Sequence, residues 1–193
     1  MNAPLDSSAV PAPGASGATR TAAAQLTVRT SEEMRELGRR LAGLLGAGDL
    51  VLLSGELGAG KTTLTRGLGE GLGVRGAVTS PTFVIARVHP SLTGGPALVH
   101  VDAYRLSGGL DEMEDLDLDV SLPESVTVVE WGDGKVEDLS EDRLRVVIER
   151  AVGAEAPAPD GDDADAADDV RTVTVSGVGE RWAGVDLSPL AFS

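Results

Sequence analysis

Apolar residues recur with helical or strand-like spacing along most of this chain. After Thr30, apolar side chains recur every three or four residues at Met34, Leu37, Leu41, Leu44 and Leu45. This spacing predicts an amphipathic helix that ends near Gly46. Thr30 fits the N-cap of that helix, because Glu33 three residues later completes a capping box.

A second helix is predicted by Leu64, Leu68 and Leu72, which recur every four residues before Gly73. Glycine often ends a helix, because it adopts the left-handed conformation without steric cost. A third, acidic helix is expected from about Leu110 to Leu116.

Short apolar or alternating runs outside these helices predict strands. The runs are Leu26–Val28, Leu50–Leu53, Phe83–Val88, Leu98–Asp102, Val126–Glu130, Leu144–Ile148 and Thr172–Val175. The last two alternate like the strands of a hairpin. Helices interspersed among apolar strands indicate an α/β fold, a layered sheet with flanking helices.

One motif gives this fold a function class. Residues 55–62 read Gly-Glu-Leu-Gly-Ala-Gly-Lys-Thr, which matches the phosphate-binding loop pattern. The motif lies between the strand Leu50–Leu53 and the second helix, as such a loop requires. Its glycines let backbone N–H groups point at phosphate oxygens, and the following helix N-terminus adds positive charge. The chain is therefore predicted to be P-loop NTPase-like.

Two side chains of the loop are candidates for chemistry. Lys61 would reach the β- and γ-phosphates of a nucleotide, and the Thr62 hydroxyl would ligate Mg²⁺. Only Lys61 and Lys135 among the 16 basic residues are lysines, which suits a site that needs a compact point charge. The loop residues expected to contact nucleotide are Glu56, Leu57, Gly58, Ala59, Gly60, Lys61, Thr62 and Thr63.

Two carboxylates end predicted strands, at Asp102 and Glu130. Ligands of an open parallel sheet bind beyond the carboxyl ends of its strands, so both acids are expected to converge on the phosphates. Asp102 fits a Walker-B acid. Both acids and Lys61 are candidate catalytic residues, and both acids join Thr62 as candidate Mg²⁺ ligands.

Ser80–Thr82 follows Lys61 by about 20 residues, where a switch segment that senses the γ-phosphate would lie. An ordinary turn with Pro81 at its second position is the alternative.

Three aromatic or imidazole side chains need an interpretation. Trp131 follows Glu130 directly and is either a core aromatic residue or a cover for the nucleotide. His100 is expected to be a packed core histidine, and His89 a loop residue.

Two segments have the composition of disordered chain. Residues 1–24 consist mainly of Ala, Pro, Ser, Gly and Thr, and residues 153–170 carry seven acids and no basic residue. One folded domain is therefore expected over 25–193, with 153–170 as a solvated acidic insertion rather than a Ca²⁺ loop.

The net charge of −15 opposes direct binding of nucleic acid, so any contact with RNA is expected to pass through a partner. The chain has no Cys, which excludes disulfides and thiolate metal sites. No apolar run approaches the ~20 residues that span a membrane. A cytoplasmic protein without membrane contact is expected.

ATP is expected rather than GTP, because guanine-specific switches read the base with Asn-Lys-x-Asp and the one Asn here is Asn2. Two alternatives stay open. A small-molecule P-loop kinase would carry an arginine lid over the phosphates, and no Arg pair after the loop is placed to form one. In a non-catalytic adaptor, Asp102 and Glu130 need not face the phosphates.

Four ordered motifs closely resemble those of the bacterial TsaE family. They are residues 55–63, Ser80–Phe83, His100–Leu106 and Val129–Trp131. The resemblance covers roughly residues 26–177. It implies an ATPase needed to form threonylcarbamoyladenosine on tRNAs that decode codons beginning with A.

The resemblance also implies partners and residue roles. The partners are TsaD and TsaB, whose heterodimer would bind the protein and contact the tRNA. Lys61 and Thr62 would hold phosphate and Mg²⁺, and Thr82 would belong to the switch. Asp102, Glu130 and Trp131 would complete the site.

Overall fold

The computed structural model describes residues 22–81, 86–105, 122–132, 139–151 and 170–192. These ranges contain seven strands and two α-helices. Their bounds are β1 Ala23–Val28, α1 Ser31–Ala42, β2 Leu50–Gly55, α2 Lys61–Leu72, β3 Ala86–His89, β4 Ala97–Asp102, β5 Ser125–Glu130, β6 Arg143–Arg150 and β7 Arg171–Val178.

All seven strands form one mixed sheet in the order β1-β7-β6-β2-β5-β4-β3. The four central strands β6, β2, β5 and β4 run parallel. β7, β1 and β3 are antiparallel to their neighbours, and β6 with β7 forms the predicted hairpin. β2 is the middle strand of the sheet, so the segment that follows it begins at the carboxyl end of the central strand. The predicted α/β fold is confirmed.

The strands β2, β4 and β5 are buried on both faces, which explains why their sequences read as largely apolar runs, whereas β6 alternates between buried and more exposed residues. In β2, Val51 and Leu53 belong to the large core cluster that also contains Leu37 of α1 and Leu68 of α2. Leu50 and Leu52 belong to a smaller cluster. Because alternate residues of a strand point to opposite faces, both helices lie on one face of the sheet.

The start of α1 follows the predicted capping pattern. Thr30 is the N-cap, and its hydroxyl accepts a hydrogen bond from the Glu33 backbone N–H at 3.1 Å. The Glu33 carboxylate accepts from the backbone N–H of Arg29 at 2.6 Å instead of from that of Thr30. Two otherwise unsatisfied donors at the helix start are thereby paired.

α1 and α2 pack so closely that their backbones touch. A Cβ atom added at Gly38 would lie 2.2 Å from the Leu64 carbonyl oxygen, and one at Gly67 would lie 1.9 Å from the Arg35 carbonyl oxygen. Glycine at these positions is therefore a packing requirement. Next to this contact, Glu70 of α2 forms ion pairs with Arg35 and Arg39 of α1.

Several predicted boundaries shift. β1 begins at Ala23, so the boundary drawn after residue 24 lies inside the strand. The carbonyl of Val170 accepts from the Ala151 N–H at 3.0 Å, which extends the hairpin by one residue at the edge of the acidic segment. His89 ends β3 and is buried, so its interpretation as a loop residue is wrong.

The C-terminal residues complete the core with short 3₁₀ turns, Glu180–Trp182 and Ser188–Leu190. Trp182 and Leu190 are buried in the large core cluster. The predicted helix at 110–116 lies outside the described residues, as do residues 83–85 of the predicted third strand. None of the described helices is long and apolar enough to cross a membrane.

Gly67→Ala is expected to lower the free energy of unfolding by about 1–3 kcal/mol, because its methyl group would force α1 and α2 apart. This loss outweighs the about 0.5–1 kcal/mol that alanine gains over glycine inside a helix. Thermal unfolding of the full chain measures the difference as a lower Tm.

The matched control is Gly46→Ala, which adds the same methyl group where no atom lies within 4 Å. Its stability should stay within about 0.5 kcal/mol of the wild type. An unchanged Tm in Gly67→Ala would contradict the close helix contact.

Candidate active site

The segment between β2 and α2 has the backbone geometry of a phosphate-binding loop. Gly60 has a φ of +110° and Gly55 a φ of +153°, conformations that favour glycine. A Cβ atom on Gly55 would also lie 2.6 Å from the Ile148 carbonyl oxygen of β6. Glycine at 55 thus lets the neighbouring strand approach, and glycine at 60 lets the chain turn into α2.

Lys61, the first residue of α2, lies folded back onto its own loop. Its Nζ donates to the carbonyl oxygens of Gly55 at 2.8 Å and Glu56 at 2.9 Å. The same atom lies 3.8 Å from the centre of the Trp131 ring, a cation–π contact. An anion offers an ammonium stronger, charge-assisted hydrogen bonds than these neutral groups do. Lys61 is therefore held in a way that a phosphate can displace.

Trp131 directly follows β5 and has a φ of +62°, unique among the described non-glycine residues. Such a conformation costs about 1–3 kcal/mol and persists only where its surroundings hold it. The Trp131 N–H donates to the Leu53 carbonyl of β2 at 3.2 Å, and its ring centre is 5.6 Å from that of Tyr104. Trp131 is half-buried, with its ring against Lys61 rather than in the core.

Asp102 and Glu130 lie side by side at the carboxyl ends of β4 and β5, paired in parallel register. Glu130 Oε1 is 3.4 Å from the Thr62 hydroxyl, which donates to it. Asp102 Oδ1 accepts from the Tyr104 N–H at 3.0 Å. Burial lowers the pKa of the Lys61 ammonium, and the charges of Glu130 and Asp102 oppose that shift. The two acids therefore converge on the loop, as their strand positions predicted.

These groups surround a cavity of about 650 Å³, a volume typical of small-molecule sites. The cavity is lined by Leu57, Gly58, Gly60, Lys61, Thr62, Thr63, Ser80, Asp102, Tyr104, Glu130 and Trp131. Two loop residues expected at the nucleotide, Glu56 and Ala59, are not in its lining. Thr82 lies outside the described residues, so its role stays a prediction.

Sequence reasoning missed two contacts around this cavity. His100 is buried as expected, but its Nε2 lies 2.8 Å from Glu130 Oε1. The one available signal was its two-residue spacing from Asp102, which places both on the same face of β4. Arg150, at the end of β6, donates from Nη2 to the Gly58 carbonyl at 3.0 Å. No local pattern links residues 92 positions apart.

The donor set fits a phosphate group accompanied by Mg²⁺. Lys61 and the N-terminus of α2 supply positive charge, and Thr62, Asp102 and Glu130 supply the hard oxygen ligands that Mg²⁺ prefers. No group of three or more His, Cys, Asp or Glu within the described ranges could hold a metal ion. Mg²⁺ often uses only one or two carboxylates together with substrate phosphates. The site therefore suits a metal that arrives with a nucleotide.

The chain is similar to proteins of one family. The family model described as "Threonylcarbamoyl adenosine biosynthesis protein TsaE" matches residues 28–156. A Streptomyces coelicolor protein named tRNA threonylcarbamoyladenosine biosynthesis protein TsaE is 78% identical over 158 residues, covering 82% of this chain and 99% of that protein. A Bacillus subtilis protein of the same name is 38% identical over 161 residues, covering 82% and 89%.

A solved structure shares the fold. The crystal structure of Bacillus subtilis YdiB matches with a TM-score of 0.62 at 32% identity, covering 86% of this chain and 92% of that chain.

MgATP is expected to change the fluorescence emission of Trp131, because a bound polyphosphate would draw the Lys61 ammonium away from the Trp131 ring. A fluorescence titration of the full chain measures the change. The control is Trp131→Phe, which leaves Trp182, 1% exposed in the core, as the one remaining tryptophan. An emission change of the same size in Trp131→Phe would contradict the assignment.

Proposed function

The chain belongs to the TsaE family, as its four motifs predicted, and we propose that it works there as a Mg²⁺-dependent ATPase. TsaE proteins take part in tRNA threonylcarbamoyladenosine biosynthesis. In the proposal, ATP hydrolysis supports a complex of TsaD and TsaB that forms threonylcarbamoyladenosine on tRNA, in the cytoplasm.

One observation carries the ATPase part of the proposal. A single cavity is lined by the loop lysine, the loop threonine and two carboxylates, namely Lys61, Thr62, Asp102 and Glu130. A nucleotide-binding adaptor needs only the first two. The presence of both acids on the same cavity therefore favours hydrolysis over binding alone.

The first task of the residues is to hold the phosphates. In the proposal Lys61 exchanges the carbonyl oxygens of its own loop for oxygens of the β- and γ-phosphates. The N-terminal N–H groups of α2 point to the same side and favour negative charge. Leu57, Tyr104 and Trp131 form apolar or aromatic parts of the cavity wall, where they would reduce the access of bulk water.

The second task is to place a water molecule. Hydrolysis joins a water oxygen to the γ-phosphorus and breaks the bond to the β–γ bridging oxygen, so that ADP and phosphate leave. Protein groups accelerate this step chiefly by positioning and by electrostatics. Glu130 is suited to orient the water and accept its proton, because it is an acid beside the loop and 4% exposed.

Thr62 and Asp102 would hold Mg²⁺ directly, and Glu130, predicted as a third ligand, would place its negative charge beside the metal while its carboxylate orients the water. When bound, Mg²⁺ would neutralise charge on the phosphate oxygens. The chemistry of the side chains, three oxygen groups around one ammonium, is compatible with this assignment.

The charge of the chain bears on its partners. A net charge of −15 opposes direct contact with the tRNA phosphates, and contact through TsaD and TsaB avoids that repulsion. The protein is therefore proposed to act on tRNA only within the complex.

The proposal is tested by measuring phosphate release from ATP, with Mg²⁺, in the presence and absence of purified TsaD and TsaB. Turnover is expected, with an increase when the heterodimer is added. Lys61→Ala and Thr62→Ala should each lower turnover by about 10²-fold or more, because each removes a preorganised contact. Wild-type turnover in both variants would exclude the loop as the site.

The same assay separates hydrolysis from a kinase reaction. A small-molecule kinase would release little phosphate unless its acceptor were supplied, whereas an ATPase needs only water.

The two acids should differ in their effects. Glu130→Gln keeps the shape of the side chain and removes its charge, so ATP should still bind while kcat falls by about 10²-fold or more. Asp102→Asn should also raise the Mg²⁺ concentration needed for half-maximal rate, because a Walker-B acid acts through the metal. Steady-state kinetics over a Mg²⁺ series measures both. Unchanged kcat in Glu130→Gln would remove Glu130 from the reaction.

A further inference from the structure

A buried pair links the candidate catalytic acid to the strand beside it. His100 on β4 is fully buried, and its Nε2 lies 2.8 Å from Oε1 of Glu130 on β5. His100 is absent from the lining of the cavity. Its contact with the candidate site runs through Glu130.

The sheet register sets up this contact. His100 is paired with Val128 in the parallel register, and Asp102 is paired with Glu130. His100 is therefore two residues before the residue that pairs with Glu130, and it lies on the same face of the sheet. Its ring reaches diagonally across from β4 to the Glu130 carboxylate on β5. Backbone hydrogen bonds between β4 and β5 fix the backbone positions of His100 and Glu130. The distance between the two side chains can therefore change little.

Glu130 Oε1 is held from two sides. His100 Nε2 approaches from β4, and the Thr62 hydroxyl at the start of α2 donates to the same oxygen at 3.4 Å. Within the described part of the chain, Oε2 accepts no hydrogen bond. One oxygen of the carboxylate is fixed and the other is available to a ligand.

The chemistry of the pair determines the tautomer of His100. An ionised carboxylate only accepts hydrogen bonds, so Nε2 must carry the proton. Nδ1 is buried and has no hydrogen-bond partner among the described residues. A proton on Nδ1 would be a buried donor without an acceptor, which is strongly disfavoured. Nε2 is therefore the ring nitrogen through which His100 donates to Glu130.

We infer that His100 is a positioning residue for the hydrolysis step, an inference that rests on the proposed function. By donating to Oε1, His100 fixes the rotation of the Glu130 carboxylate and leaves Oε2 to orient the attacking water. A residue that orients a functional side chain without touching the substrate commonly contributes about 10-fold to 100-fold to activity.

The test compares His100→Gln with His100→Leu in the full chain. The glutamine amide nitrogen can replace Nε2–H as a donor, whereas leucine fills the space without one. His100→Leu should lower kcat by about 10-fold or more with little change in the KM for ATP, because the contact acts on the reaction and not on binding. His100→Gln should restore most of the lost kcat.

The second histidine supplies the matched control. His89 is also buried, at the end of β3 and outside the cavity lining, so His89→Leu should leave kcat unchanged. In a Glu130→Ala background, His100→Leu should have no further effect on kcat, because the group that His100 positions is gone. An equal fractional loss in both backgrounds would overturn the inference, as would equal losses in His100→Gln and His100→Leu.

A spectroscopic readout does not depend on turnover. With ¹⁵N-labelled histidine the chain has two imidazole spin systems, and Glu130→Ala should shift the Nε2 resonance of His100 while leaving His89 unchanged. An unshifted resonance would overturn the contact itself. Wild-type protein without ATP turnover, even with TsaD and TsaB, would overturn the proposed function and this role with it. Normal turnover in His100→Leu would overturn the role of His100 alone.

Discussion

Hydrogen bonding between β2, β5 and β4 in parallel register brings chain segments from different parts of the sequence to one edge of the sheet. β2 delivers the phosphate-binding loop, β5 delivers Glu130, and β4 delivers Asp102. A slip of one residue in β4 or β5 would turn its acid to the opposite face. The candidate site therefore depends on strand register more than on any contact within the cavity.

The position of the loop also depends on how α2 is seated. Gly38 and Gly67 allow α1 and α2 to touch backbone to backbone, which presses α2 against its neighbour without intervening side chains. Leu64 and Leu68 then pack into the same core cluster as Val51 and Leu53 of β2. Since α2 begins at Lys61, this packing holds the N-terminus of the helix, and its positive charge, at the cavity.

The positive charge of Lys61 lies among neutral partners. Two backbone carbonyls and the face of Trp131 surround the ammonium, and the backbone of Trp131 is strained where it does so. These contacts keep a buried charge from being left unpaired. They are also contacts that a phosphate can replace.

Features governed by neighbours along the chain were predictable from sequence. They include the Thr30 cap, the strand–loop–helix order around residues 55–62, the Gly73 helix end, and Asp102 and Glu130 at strand ends. Periodicity and capping chemistry act over a few residues, so a sequence displays them directly. The boundary after residue 24 and the place of His89 were mispredicted, because pairing with a distant strand decides where a strand begins and ends.

What the sequence by itself determined is the fold class, the loop and the two acids that accompany it. Only the tertiary structure decided that His100 meets Glu130, that Arg150 supports Gly58, and that Trp131 faces Lys61 rather than the core. The physical reason is that such contacts join residues whose separation along the chain carries no periodic signal. Their distances are set by strand register and by the packing of helices on the sheet, which exist only once the whole domain has folded.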